Sequence, residues 1–214
     1  MSNPTINELL DSESFKLELV LEHEEVKDFV ISQIQTGGRL ILWHKYFQLF
    51  MMLAGLFFVT RPFILAINGI LQPLFYLILA VVLTFTLLIL FHECIHALAF
   101  KITGAPKVSL GWFPKHFIFY AEADRHVINR RQFTFIALAP LVTVQVISTA
   151  GLLATLGHPE VYFWIFIMTS HTLFCSGDIN MLNYFYMNKN YDLYTFDVKN
   201  EKKTYFYRRK ISGY

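Results

Sequence analysis

Four long apolar segments divide the chain and are separated by shorter polar stretches. They cover residues 43–60, 73–100, 133–156 and 161–187, and the first continues as an apolar stretch to about residue 70. Each has the roughly 20 apolar residues that an α-helix needs to cross ~30 Å of hydrocarbon at 1.5 Å per residue. The pattern therefore predicts four transmembrane helices.

The segment before the first apolar stretch has a pattern of its own. Residues 15–22 alternate apolar and polar side chains, which is typical of a half-buried strand. From residue 23 to 35 the apolar side chains recur at helical spacing, and Gly37-Gly38 supplies a stop. We expect a small folded cap ahead of the first transmembrane helix.

The loop between the second and third apolar segments, residues 101–132, alternates twice. Val108, Leu110 and Trp112 form one alternating run, and a second run spans residues 117–121, with a turn at 113–116. Two such runs around a short turn predict a β-hairpin.

Together these patterns predict an all-α integral membrane protein of about four transmembrane helices with a small cytoplasmic cap containing a β-hairpin and a helix. The predicted domain organisation comprises a cytoplasmic N-terminal cap (1–42), an accessory transmembrane helix (43–70), a membrane core (71–187, including the hairpin loop 101–132) and a basic cytoplasmic tail (188–214).

Composition and charge agree with a multi-pass membrane protein. The chain is 55% hydrophobic and 16% charged, with a mean hydropathy of +0.43, so the lipid bilayer is its expected surrounding. A net charge of +2 gives no basis for a nucleic-acid partner, and the two cysteines lie in apolar segments, which argues against a disulfide framework. The polar residues 1–15 indicate no cleavable signal peptide.

The distribution of basic residues predicts the orientation. Of the 18 Lys and Arg residues, 17 lie before or at the start of the first span (Lys45 included), between the second and third, or after the fourth. Because basic loops remain on the cytoplasmic side, we expect both termini and the hairpin loop to be cytoplasmic.

The strongest chemical signal ends the second span, where residues 92–96 read HECIH. On a helix, His92 and His96 lie on one face and can offer two imidazole nitrogens to one Zn²⁺, while Glu93 stands beside the metal as a general base. Ionisable side chains at the end of a membrane helix are costly and indicate function.

A third ligand is suggested by depth in the membrane. His92 lies 19 residues into the second span and Asp178 lies 17 residues into the fourth, which corresponds to ~28 Å and ~25 Å along ideal helices. Both spans enter from the same side, so Asp178 is level with the two histidines. Two His and one carboxylate, with water in the fourth position, make a catalytic zinc site.

Other side chains are candidates for a metal ligand, for a hydrogen-bond partner of a ligand, or for a substrate contact. His171 lies on nearly the same helical face as Asp178 and is a rival third ligand, a hydrogen-bond partner, a substrate contact or a core histidine. Asn180 could hold a substrate backbone. On the hairpin, Phe117 and Phe119 flank a strand edge that could bind an extended peptide by β-augmentation.

These motifs carry a family resemblance. The stretches HECIHALAF (92–100), ALAP (137–140) and SGDIN (176–180), with the hairpin between, resemble the site-2 protease class of intramembrane metalloproteases. They are more similar still to a family of small bacterial zincin peptidases of unknown function. The resemblance implies a three-helix protease core in a bacterial cell membrane, with zinc held by His92, His96 and Asp178 and with Glu93 as the general base. The order here is Gly177-Asp178 where that class usually has Asp-Gly, so His171 stays open as the third ligand.

The sequence thus predicts a membrane-embedded zinc endopeptidase that hydrolyses membrane proteins or peptides near the cytoplasmic face. The alternative is a catalytically silent metal-binding membrane protein that acts in partner binding or regulation. Metal transport is disfavoured, because no other span carries the charged residues of a relay.

Overall fold

The computed structural model describes residues 3–11, 13–113 and 118–210 of the 214-residue chain. In chain order its main elements are α1 (Ile6–Asp11), β1 (Lys16–Glu22), α2 (Val26–Thr36), α3 (Arg39–Ile67), α4 (Gln72–Thr84), α5 (Leu87–Ile102), β2 (Val108–Phe113), β3 (Ile118–Ala123), β4 (Ile128–Asn129), α6 (Arg130–Ala154), α7 (Val161–Phe174), α8 (Ser176–Met187), β5 (Tyr191–Val198) and β6 (Lys203–Lys210). The strand and helix expected in the N-terminal cap are present as β1 and α2, and the expected hairpin is β2–β3.

The helices correspond to the predicted spans, but two of the spans are broken. Among the described residues, α3 and α6 are long and apolar enough to cross a membrane, and α4 with α5 would make a third span bent by 49°. The predicted fourth span divides at Cys175 into α7, an apolar helix of 14 residues, and α8. The structure therefore gives two or three candidate spans, where the sequence predicted about four.

The described chain is mostly helical, as predicted, but it contains more strands than the predicted hairpin and cap strand. A second, four-stranded antiparallel sheet has the order β1-β6-β5-β4. Residues expected to form a basic tail supply β5 and β6, and three of their aromatic side chains, Phe196, Phe206 and Tyr207, are buried. Strands from before α3, from the loop after α5 and from after α8 meet in this sheet. The three segments richest in Lys and Arg are thereby held together in the fold.

The centre of the helical layer is α7, which packs against α3, α4 and α6. Close approach of α6 depends on Gly151, since a Cβ at that position would lie 2.2 Å from the Trp164 ring. Small residues allow such approach between helices where the surroundings give no hydrophobic driving force. This packing places His171, near the end of α7, in the interior of the protein, where it is 0% exposed.

The four-stranded sheet is joined to the helices through α8. Phe185 of α8 is fully buried in a cluster with Leu21 of β1, Leu193 of β5 and Phe206 of β6, and its ring stacks on Phe133 of α6 with centroids 4.4 Å apart. Burial of each large side chain contributes about 1.5–3 kcal/mol. The sheet thus fixes α8, and with it Asp178.

The hairpin docks on the same sheet through charged groups. The backbone of Asp124, just after β3, forms an isolated parallel β-bridge with Asp197 of β5. The Asp197 carbonyl also accepts a hydrogen bond from the backbone N–H of Arg125. Lys199 Nζ lies 3.0 Å from Glu122 Oε1, a carboxylate that is almost completely buried. The hairpin is therefore attached to the sheet at a cluster of three carboxylates and one lysine.

Replacing Asp197 with Asn is expected to stabilise the protein above pH 6. Burial, reinforced by the nearby Glu122 and Asp124 charges, raises the pKa of Asp197 from 3.8 to about 6, although Thr204 Oγ1 donates a hydrogen bond to it. The folded state thus favours the protonated form, and this stabilisation is lost as pH rises through about 6. Asparagine cannot ionise, so thermal unfolding between pH 4 and 8 should show a gain of at most about 3 kcal/mol at the alkaline end.

The matched control is Asp192→Asn on the same strand. Asp192 is 42% exposed and pairs with Arg209 at 3.0 Å, so its replacement should not reproduce the gain, because exposed ion pairs contribute little. An unfolding temperature of Asp197→Asn that follows the wild-type pH profile throughout would contradict the prediction.

Candidate metal centre

Both helices that carry the predicted site residues begin at a break. The break before α5 lies at Phe85-Thr86, where the Thr86 hydroxyl donates to the Val82 carbonyl. The break before α8 lies at Cys175, so Asp178 falls in the first turn of α8, where the helix dipole favours a carboxylate. Broken helices at membrane depth are tolerated where they line a cavity or are buried in protein.

The structure brings His92, His96 and Asp178 together, as the depth argument predicted. His92 Nε2 lies 3.3 Å from Asp178 Oδ2, and His96 Nε2 lies 3.2 Å from Asp178 Oδ1. The two Nε2 atoms are 3.1 Å apart. Two ligand atoms in a tetrahedral zinc site with bonds of about 2.0–2.1 Å lie about 3.3 Å from each other. The three side chains, hereafter the ligand set, therefore have the spacing that a single small cation requires.

Hydrogen bonding leaves the right atoms free for a metal. His96 Nδ1 lies 3.0 Å from the backbone carbonyl of Ile136, and a carbonyl can only accept, so Nδ1 carries the proton and Nε2 of the neutral ring keeps its lone pair. Asp178 Oδ2 is buried and makes no hydrogen bond to any described residue. A buried carboxylate oxygen without a donor is costly. Two imidazole nitrogens and one carboxylate fit Zn²⁺.

Glu93 lies beside the ligand set and does not belong to it. One carboxylate oxygen is 4.0 Å from His92 Nε2, and the side chain is 12% exposed. Its carboxylate also interacts with the backbone amide of Ala121 on β3. Glu93 therefore lies next to the hairpin. The position suits a base that acts on a water molecule at the metal.

Two cavities meet at this site. The larger has a volume of about 820 Å³ and is lined by His92, Glu93 and Asp178 together with residues of α2, β3 and β6. The smaller, of about 230 Å³, shares Glu93 and Asp178 and adds His96 and residues of α6. Residues 119–121 of β3 line both cavities. The strand therefore runs along the site between them.

The other predicted contact residues are placed differently. Phe119 lines both cavities and stacks on Trp112, whereas Phe117 lies outside the described residues. His171 is 0% exposed and Asn180 is 4% exposed, and neither is among the residues that line the two cavities. Both pack in the protein interior.

Several residues of the site were not anticipated from the sequence. Val26 and Val30 of α2 line the larger cavity, and Met181 of α8 lines both. The helical spacing of Val26 and Val30 predicts that one face of α2 is buried. It does not predict that this face lines the cavity beside the metal site. The partner of His96 is a backbone carbonyl, for which the sequence holds no signal.

Comparison with protein families connects this geometry to known proteins. A model of the family described as "Putative zincin peptidase" matches residues 85–193, just over half of the chain. That region contains the ligand set, Glu93 and the β2–β3 hairpin. Comparison with curated proteins and with solved structures gave no significant match. Zincin peptidases are zinc metallopeptidases, and the candidate ligand set fits that metal. The chain therefore belongs to the family described as putative zincin peptidases.

Proposed function

We propose that the protein is a membrane-embedded zinc endopeptidase, similar to the site-2 protease class, that cleaves membrane proteins or peptides near the cytoplasmic face. The observation that carries the proposal is the position of Glu93. It lies within 4.0 Å of His92 Nε2, contacts the β3 backbone and lines both cavities. A metal site that served only for structure or storage has no need for a carboxylate held beside it and exposed to a cavity.

Each residue then has a role in hydrolysis. Zinc held by the ligand set would polarise a peptide carbonyl and activate a water molecule. Glu93 takes a proton from the attacking water and delivers it to the departing amine nitrogen. His96, held by the Ile136 carbonyl, keeps its orientation while charge develops at the site.

The position of β3 along the two cavities supports an extended peptide as the substrate. Within the described residues, β3 pairs with β2 on one side only, apart from the bridge between Asp124 and Asp197. Its other side faces the cavities. A peptide that pairs with this edge by β-augmentation would lie beside Glu93, with the two sides of the scissile bond in the two cavities. Helical substrates would have to unwind locally to bind there.

The surroundings of the site support a substrate in the membrane. The bent pair of α4 and α5, which carries His92, Glu93 and His96, has many large apolar side chains exposed, among them Phe75, Phe85, Leu87 and Leu98, each at least 60% exposed. Such a surface is expected against lipid. The sheet that joins the basic segments supplies Asp197 and Thr204 to the walls of both cavities, which suits cleavage near the cytoplasmic surface.

Removal of zinc is expected to stop the reaction. The purified protein, reconstituted in liposomes, would be incubated with single-span peptides that carry extended juxtamembrane segments, and products would be identified by mass spectrometry. We expect cleavage to fall to background with 1,10-phenanthroline and to return when zinc is added, because the ligand set alone cannot activate water. The non-chelating 1,7-isomer is the matched control. Cleavage that continues after metal analysis shows zinc to be gone would contradict the proposal.

A further inference from the structure

A second histidine lies directly behind the ligand set. His171 of α7 is 0% exposed, and its Nε2 atom is 3.0 Å from Nδ1 of His92. The two nitrogens of one imidazole ring point to opposite sides of that ring. Since His92 Nε2 faces Asp178 and His96, a cation bound there lies on the far side of His92 from His171. In this arrangement His171 is a partner of His92 and not a ligand to the same ion.

The metal requirement fixes the direction of this hydrogen bond. His92 can offer a lone pair at Nε2 only when its proton is on Nδ1, so Nδ1–H donates and His171 Nε2 accepts. His171 must then be neutral and carry its own proton on Nδ1. That atom lies 3.6 Å from Cys175 Sγ, and the Cys175 side chain is 0% exposed. A thiol sulfur is a weak acceptor, which suits the Nδ1–H of His171.

The two ligand histidines are therefore held by unlike partners. His96 donates to the Ile136 carbonyl, which is an acceptor in every state. His92 donates to another imidazole, which accepts only in one tautomer. The hydrogen bonds run from His92 to His171 and from His171 to Cys175 without a carboxylate between them.

We propose that His171 is a positioning residue that fixes the tautomer and ring orientation of His92 for metal binding, with Cys175 fixing His171 in turn. The proposal deepens the proposed function and rests on its zinc site. The three groups also lie close enough to hold a cation among themselves, but both His171 and Cys175 are enclosed by protein, and the hydrogen bonds account for each of their polar atoms.

The test compares two replacements of His171 that differ in whether they can accept a hydrogen bond from His92. Gln offers a side-chain carbonyl oxygen to His92 Nδ1–H, and Phe fills a similar volume without an acceptor. Zinc affinity of purified protein in detergent would be measured by competition with a chromophoric chelator. We expect His171→Phe to weaken zinc binding about 10–100-fold, as loss of an outer hydrogen-bond partner does, and His171→Gln to stay within a few-fold of wild type.

A spectroscopic readout separates positioning from general packing. Cobalt-substituted His171→Phe should show shifted visible bands because the His92 ring is no longer held, while His171→Gln should keep the wild-type spectrum. Thermal unfolding of the metal-free variants shows whether each is folded. Cys175→Ala should weaken zinc binding more than Cys94→Ala, a matched control at an exposed cysteine of α5.

Three results would overturn the proposal. These are wild-type zinc affinity in a folded His171→Phe variant, equal losses for Phe and Gln, or a second bound zinc that disappears in both His171 and Cys175 variants. None of these measurements uses a substrate. A wild type that binds zinc but cleaves nothing would therefore refute the proposed peptidase activity. The zinc affinities of the His171 variants would still test the positioning role.

Discussion

Glu93→Gln is expected to bind zinc like the wild type and to hydrolyse peptides on the order of 10³ times more slowly. Glutamine keeps the size and most hydrogen bonds of glutamate but cannot take the proton from water, and general bases typically contribute 10²–10⁴-fold. Because Glu93 is 4.0 Å from His92 Nε2 and outside the ligand set, its replacement leaves all three ligands in place. Single-turnover cleavage and metal analysis on the same preparation measure both effects.

The control for Glu93→Gln is Cys94→Ala, the next residue on α5, whose side chain is exposed on another face. It should cleave at the wild-type rate. Full activity in Glu93→Gln would exclude the mechanism. If neither the wild type nor Glu93→Gln cleaves any membrane substrate and both complement a gene deletion equally, the catalytically silent metal-binding protein is the better interpretation.

The geometry of the ligand set follows from features that the sequence carries directly. His92 and His96 are four residues apart on a helix, and Asp178 could be placed by counting residues from the ends of two spans. The structure brings these three side chains together although both spans are broken a few residues before the site.

The role of His171 could not be assigned in this way. Spacing put it on nearly the same helical face as Asp178, which left it open as a rival third ligand. The break at Cys175 separates α7 from α8, so the ideal-helix phase does not carry across it. Only the tertiary packing of α7 shows that His171 reaches the Nδ1 side of His92.

The four-stranded sheet was missed because charge dominated the interpretation of the C-terminal segment. Tyr191–Val198 and Lys203–Lys210 are rich in aromatic and β-branched residues, which favour strands. Seven Lys and Arg residues between positions 188 and 214 suggested a basic tail. Pairing with β1, about 190 residues earlier in the chain, is a long-range contact that no local pattern reveals. The larger cavity depends on it, since Thr204 of β6 and Val30 of α2 are both part of its wall.

Asp178→Ala is expected to reduce zinc affinity by more than the ~10–100-fold that an outer hydrogen-bond partner is worth, and to abolish cleavage with it. Asp178 supplies the only carboxylate among the described residues within 3.3 Å of both histidine Nε2 atoms, and without it a cation there has two ligands and no charge compensation. Chelator competition measures the affinity, with Glu93→Gln as the matched control because it alters a carboxylate at the same site that binds no metal. Undiminished zinc in Asp178→Ala would move the third ligand to His171 or the hairpin loop. If His171 Nε2 were that ligand, it could not also accept the hydrogen bond from His92 Nδ1–H, so the identity of the third ligand decides both the peptidase chemistry and the positioning role of His171.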